Sequence, residues 1–312
     1  MKDERQSWIK QLEEITDSDV YILFTSNNDE QRYTIASDLL PLFTDAIFMR
    51  RKGRRKNATI VLETIGGDTT VVLAFLKQLH ENYKKVFGYV FNRCFSSGTI
   101  GMLATDEIHM SKYALLTPVN LQTFSYDGPR YKPLLAQYNA FVGRKPDERE
   151  MIFAANYPEE YLEVLLDNRY ALQTIYPYFE KHCKPSFRDT TWEYFNGGAG
   201  QHCTKINRKL AISLGLRIKL MSDETEEILY NIINNYIKST DMLTNILASL
   251  EIKDAHFETF GLTYCHYFKY QEEKPNDVQK TATVGFAASR EEEVENKTVN
   301  IKRCIEYGWK KE

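Results

Sequence analysis

Hydrophobic and polar positions alternate along the first half of the chain in a strand-then-helix order. Residues 4–16 place apolar groups on one face of a short amphipathic helix. Val20–Phe24 is a continuous apolar run of strand length, which predicts a buried strand. Ser37 and Asp38 stand where a helix cap is expected for Leu39–Phe48, with Pro41 in its first turns. Thr59–Glu63 predicts a second strand, Thr64–Asp68 a glycine-bearing turn and Thr69–Tyr83 a helix with Val72, Phe75, Leu76 and Leu79 on one face. Val86–Phe91 predicts a third strand, Ser97–Ala104 a short helix, and Glu107–Met110 and Ala114–Leu116 short strands.

This alternation over 20–122 predicts an α/β fold with a mainly parallel sheet. Tyr131 to Lys181 is helical in pattern and rich in Tyr and Leu, so 131–195 reads as a helical insert. Asn207–Leu214 predicts a helix ended by Gly215. Asp223–Leu250 predicts a long helical stretch, with a break expected at 239–241, and 223–255 reads as a helical extension. From His256 the pattern turns β-prone, so 256–312 is expected to form a small β-rich C-terminal region, and 1–222 the main domain.

Composition narrows the function classes. The chain has 312 residues, 43% of them apolar, which suffices for a large core. Its net charge of -3 argues against a general nucleic-acid binder. The segment 49–56, MRRKGRRK, is a local basic loop, read as a solvated connection. The N-terminus lacks a secretory apolar region, and no run is long enough for a membrane span, so a cytoplasmic protein without an integral membrane segment is expected. The five cysteines are scattered and odd in number, which fits reduced thiols and no disulfide framework. No C-x-x-C-type spacing accompanies them, so neither metal nor cofactor is expected.

Two turns carry the candidate chemistry. Thr64-Ile-Gly-Gly-Asp-Thr69 and Phe95-Ser-Ser-Gly-Thr99 each follow a strand and open a helix. In a parallel layer such turns lie at the carboxyl ends of the strands, where ligand crevices form. Helix starts present N–H groups without intrahelical partners, which suit an oxyanion. Ser96 is then a candidate nucleophile, with the N–H groups of Gly67 and Ser97 as oxyanion donors. Alternatively, Ser96 or Ser97 is an ordinary helix cap.

The runs ETIGGDTTVVLAFLKQL and VFGYVFNRCFSSGTIGMLATDEIHMSKYALLTPVNLQ resemble the serine dehydrogenase proteinase family. That family is related to signal peptide peptidase A and has the ClpP/crotonase fold. The matches are Gly66-Gly67, Ser96–Thr99, Thr105–Met110 and Leu116–Gln122, with a later echo in 202–206 and Ala211–Leu216. The resemblance covers about residues 20–220 and implies a ClpP/crotonase-like layered β/α core. It further implies Ser96 as nucleophile, Lys132 as general base, Gly67 and Ser97 as the oxyanion hole, and Gly66 and His202 in support. A peptide or protein substrate and a homo-oligomer are implied with it. The chain departs from the family pattern at Ile65, Thr117, Asn120 and Leu121, where Pro, Gly, Asp and Pro are usual. Two principal functions follow: a serine peptidase of Ser-Lys type, or a catalytically inactive member of the fold that binds a protein partner. Acyl-CoA chemistry in the same crevice is a third.

Overall fold

The structure is a computed structural model. It describes residues 2–25, 34–119, 124–125, 128–129, 171–195, 204–240, 251–272 and 302–311. Eight strands form the central sheet. They are β1 (Ser18–Thr25), β2 (Asn57–Glu63), β3 (Val86–Val90), β5 (Glu107–Met110), β10 (Ile218–Leu220), β11 (Glu251–Thr259), β12 (Leu262–Glu272) and β13 (Lys302–Lys311); the short strands β4 (Arg93–Cys94), β6 (Leu115–Leu116), β7 (Phe124–Ser125), β8 (Gly128–Pro129) and β9 (Ile206–Asn207) lie outside it. Their order is β10-β5-β3-β2-β1-β11-β12-β13. The pairs from β10 to β1 are parallel, and those from β1 to β13 are antiparallel. The chain is therefore α/β with a sheet that is parallel where the strand–helix alternation predicts it.

β1 shows why its sequence reads as unbroken apolar. Tyr21 and Leu23 point into one core with α2 (Leu39–Met49) and α3 (Thr69–Asn82). Val20, Ile22 and Phe24 point into a second core with α1 (Lys2–Thr16) and the long helix Asp223–Thr240. A strand covered on both faces needs apolar groups at every position. In the first core Phe43 stacks on Phe75 at 3.8 Å, and both meet Phe257 of β11 edge-on.

Three sequence expectations are corrected. The C-terminal strands begin at Glu251, before the expected boundary at His256, and β11 pairs directly with β1. Periodicity reports that a segment is a strand but says nothing about which edge it will join. Asp38 occupies the cap position of α2 without a side-chain capping bond. Its carboxylate instead accepts a hydrogen bond from Trp309 Nε1 at 3.2 Å, a contact no local pattern encodes. The third strand ends at Val90, before Phe91, because the chain turns there toward a small side sheet. The insert expected over 131–195 lies largely outside the described residues, which show helix there at Tyr176–His182 and Arg188–Phe195.

Candidate functional site

The side sheet positions the candidate serine. β4 (Arg93–Cys94) pairs in parallel with β6 (Leu115–Leu116), which pairs with β9 (Ile206–Asn207) in antiparallel fashion. A bridge between Thr64 and Cys94 ties this sheet to the end of β2. Thr64 N–H donates to Arg93 O, and Phe95 N–H donates to Thr64 O, each at 3.0 Å. The two glycine-bearing turns are thereby held side by side. A Cβ on Gly66 would lie 2.7 Å from Ser96 Cβ and 2.9 Å from Phe95 O, so only glycine permits this approach.

Ser96 lies at the start of α4 (Ser97–Leu103) with φ 51° and ψ -117°. Non-glycine residues rarely take this conformation, and where they do it costs about 1–3 kcal/mol. The surrounding bonds hold it. Ser96 N–H donates to Thr117 Oγ1 at 2.7 Å, Thr117 N–H donates to Thr99 Oγ1 at 3.2 Å, and Thr99 Oγ1 donates to Cys94 O at 2.8 Å. The Ser96 side chain makes no capping bond and is half-buried. It is not serving as an ordinary helix cap.

Gly67 has φ 140° and is exposed. Its neighbours are engaged: Ile35 N–H donates to Gly66 O at 2.8 Å, and Asp68 N–H donates to Ile35 O at 2.7 Å. Asp68 caps α3 by accepting from Thr70 N–H at 2.7 Å. Among the described residues, neither Gly67 N–H nor Ser97 N–H has an acceptor. The Ser97 hydroxyl is fully buried and also has no partner there.

Behind the turns, Glu63 is buried and accepts from Arg93 Nε at 2.9 Å and from the N–H groups of Asn92 and Arg93 at 3.3 and 3.2 Å. Burial pushes its carboxyl up to about 7, against the pull of Arg93. Burial and the neighbouring Glu63 push the Cys94 thiol well up, which leaves it an inert core group.

The structure thus brings Gly66, Gly67, Ser96 and Ser97 to one place. Lys132 and His202 lie outside the described residues. His109 stacks on Tyr89 at 4.4 Å, and His182 Nε2–H donates to Thr105 O at 2.8 Å; both pKa values are lowered by burial, and both are framework groups. Asn120 and Leu121 lie outside the described residues as well.

Two residues acquire roles that the sequence reading missed. Thr117, where the family pattern has glycine, supplies the acceptor for Ser96 N–H. Lys205 sets its ammonium 3.5 Å from the ring centre of Phe95, the residue before Ser96. The pairing of β9 with β6 carries Lys205 there, across a sequence gap that no local pattern spans.

No protein-family model and no curated protein matches the chain. Solved structures do match it. A serine-to-alanine variant of the 1510-N membrane-bound stomatin-specific protease is 14% identical, with a TM-score of 0.38, covering 67% of this chain and 81% of that one. The ClpP protease catalytic domain from Plasmodium falciparum is 11% identical, with a TM-score of 0.40, covering 71% and 91%. A probable enoyl-CoA hydratase/isomerase from Mycobacterium abscessus is 12% identical, with a TM-score of 0.35, covering 65% and 66%. Proteases and hydratases stand together in this set, so the likeness assigns no activity.

Proposed function

We propose that the chain is a serine hydrolase of the peptidase class, with Ser96 as its nucleophile. The observation that carries this reading is the strained, uncapped Ser96 set against Gly66, beside two N–H groups with no acceptor among the described residues. A helix cap would need no such strain, and a core turn would leave no donors open.

In this reading Ser96 Oγ attacks a substrate carbonyl carbon and passes its proton to a lysine amine. The N–H groups of Gly67 and Ser97 hold the resulting oxyanion, as donors fixed before the reaction begins. The tetrahedral species collapses, the amine product leaves with the lysine's proton, and an ester to Ser96 remains. Water then attacks that ester by the same route and frees the acid. By resemblance the lysine is Lys132. Lys205, whose ammonium lies against the Phe95 ring, is its rival. Self-association belongs to the same reading and is checked by light scattering.

A fluorophosphonate probe tests the proposal. Covalent labelling of the folded chain that vanishes in Ser96→Ala is the expected result. Labelling that persists in that variant would overturn it in favour of another nucleophile, and none on folded wild-type protein would overturn it in favour of a binding crevice. The pH dependence of the labelling rate in Lys132→Ala and Lys205→Ala identifies the base. Loss of the wild-type pH profile is expected for Lys132→Ala.

A further inference from the structure

At the opposite end of the sheet, around the amino ends of β1 and β2, the basic loop adjoins exposed apolar groups. Phe48 and Met49 end α2 with 62% and 54% of their surface open to solvent. Six of the seven residues from Arg50 to Lys56 are basic, and no acidic residue occurs between Asp45 and Glu63. Some of these cations are committed to the fold. Arg50 pairs with Glu13 and Asp19, and Arg55 with Asp17. Arg51, Lys52, Arg54, Lys56 and Lys84 have no carboxylate partner among the described residues. Lys84 joins the group because its N–H donates to Lys56 O at 2.9 Å.

The apolar groups share this end with the cations. Arg51 lies over the Phe48 ring at 5.9 Å, and Arg50 over the ring of Phe260 at 6.0 Å. Phe260 sits at the β11–β12 turn and is itself 39% exposed. The loop hangs from a fixed base, since Phe43, Ala46 and Ile47 of α2 are buried. At its tip Gly53 has φ 83° with nothing within 4 Å of a Cβ.

We propose that this end, formed by Phe48, Met49, Arg51, Lys52, Lys56 and Lys84, docks on an anionic phospholipid surface. Phe48 and Met49 enter the boundary between headgroups and acyl chains, while the long cationic side chains reach the phosphates around them. Nucleic acid fits less well, because Met49 offers no π face to a base. Docked this way, the chain turns its Ser96 end, at the other end of β2, away from the lipid.

Co-sedimentation of the full chain with phosphatidylcholine–phosphatidylserine vesicles tests the proposal. Binding to these vesicles, absent on phosphatidylcholine alone and weakened by salt, is expected. Each lysine reversed should lower partitioning about fivefold or more, so Lys52→Glu with Lys56→Glu lowers it at least about twentyfold. Phe48→Ser with Met49→Ser should also abolish most of the binding while circular dichroism stays unchanged, since both side chains are exposed. Equal partitioning to neutral vesicles, or indifference to the charge reversals, would overturn the proposal. Retention on a single-stranded oligonucleotide that survives the apolar substitutions would overturn it in favour of nucleic acid.

Discussion

Among the described residues, the two ends of the parallel sheet leave different groups open: the buried Nε atoms of Arg50 and Arg54 at the amino end, backbone and hydroxyl donors at the carboxyl end. Among the described residues, the buried carboxylates at the amino end are answered. Asp19 accepts from Arg50 at 2.6 Å, Tyr83 at 2.8 Å and Arg55 N–H at 3.2 Å, and Glu13 accepts from Arg50 and from Val20 N–H. At the carboxyl end, Gly67 N–H, Ser97 N–H and the Ser97 hydroxyl have no partner among the described residues, and Ser96 is strained. Groups left open in a frame otherwise well satisfied mark where something else is expected to bind.

The strongest way to break this contrast is Arg50→Met. It leaves Glu13 and Asp19 buried without their shared cation, and should cost about 3–5 kcal/mol in urea unfolding. A loss under about 1 kcal/mol would mean the amino end is no better satisfied than the other.

Two glycines sharpen it next. In Gly67→Ala the new Cβ would lie 2.3 Å from Ile35 O, at φ 140°, so a loss above about 3 kcal/mol is expected. Gly53→Ala meets nothing within 4 Å and should cost only about 1 kcal/mol for its positive φ. Equal effects in thermal melts would refute the close approach at the candidate site.

Glu63 gives the contrast a pH signature. Its carboxyl sits at about 7 in the fold, above its ordinary 4.5. Between those values the native chain holds the proton more tightly than the unfolded chain, so stability falls as pH rises through that window. The full effect is on the order of 3 kcal/mol above it. Glu63→Gln should flatten this slope in denaturation curves taken from pH 4.5 to 7. An unchanged slope would assign the dependence to other groups.

Smallest is Thr117→Val, which removes the acceptor of Ser96 N–H. A cost of about 1–2 kcal/mol and slower probe labelling are expected, with Thr117→Ser restoring both. Unchanged labelling would show that the Ser96 conformation is held without the hydroxyl.

Much of this was legible in the sequence, for reasons that stop at local range. The strands at 20–24, 59–63 and 86–90 are apolar because both faces of the sheet are covered, and the turns stand out because glycine recurs after them. Gly66 and Ser96 could be paired in advance because parallel strands deliver their ends to one side of a sheet. What stayed hidden was every pairing between distant segments. β11 closes on β1, Trp309 reaches Asp38, and Lys205 reaches Phe95. Thr117 looked like a defect against the family pattern because a pattern records which residue stands at a position, not which donor it can answer.

The bond between Arg5 and Glu258 spans 253 positions, and it has a consequence for how the chain is made. On the ribosome, the guanidinium of α1 emerges long before its carboxylate exists. Until β11 is synthesised, the free edge of β1 and the faces of Phe43 and Phe75 that meet Phe257 remain uncovered. The nascent protein therefore carries an unpaired strand edge through most of its translation, the stage at which such chains are most open to misassembly.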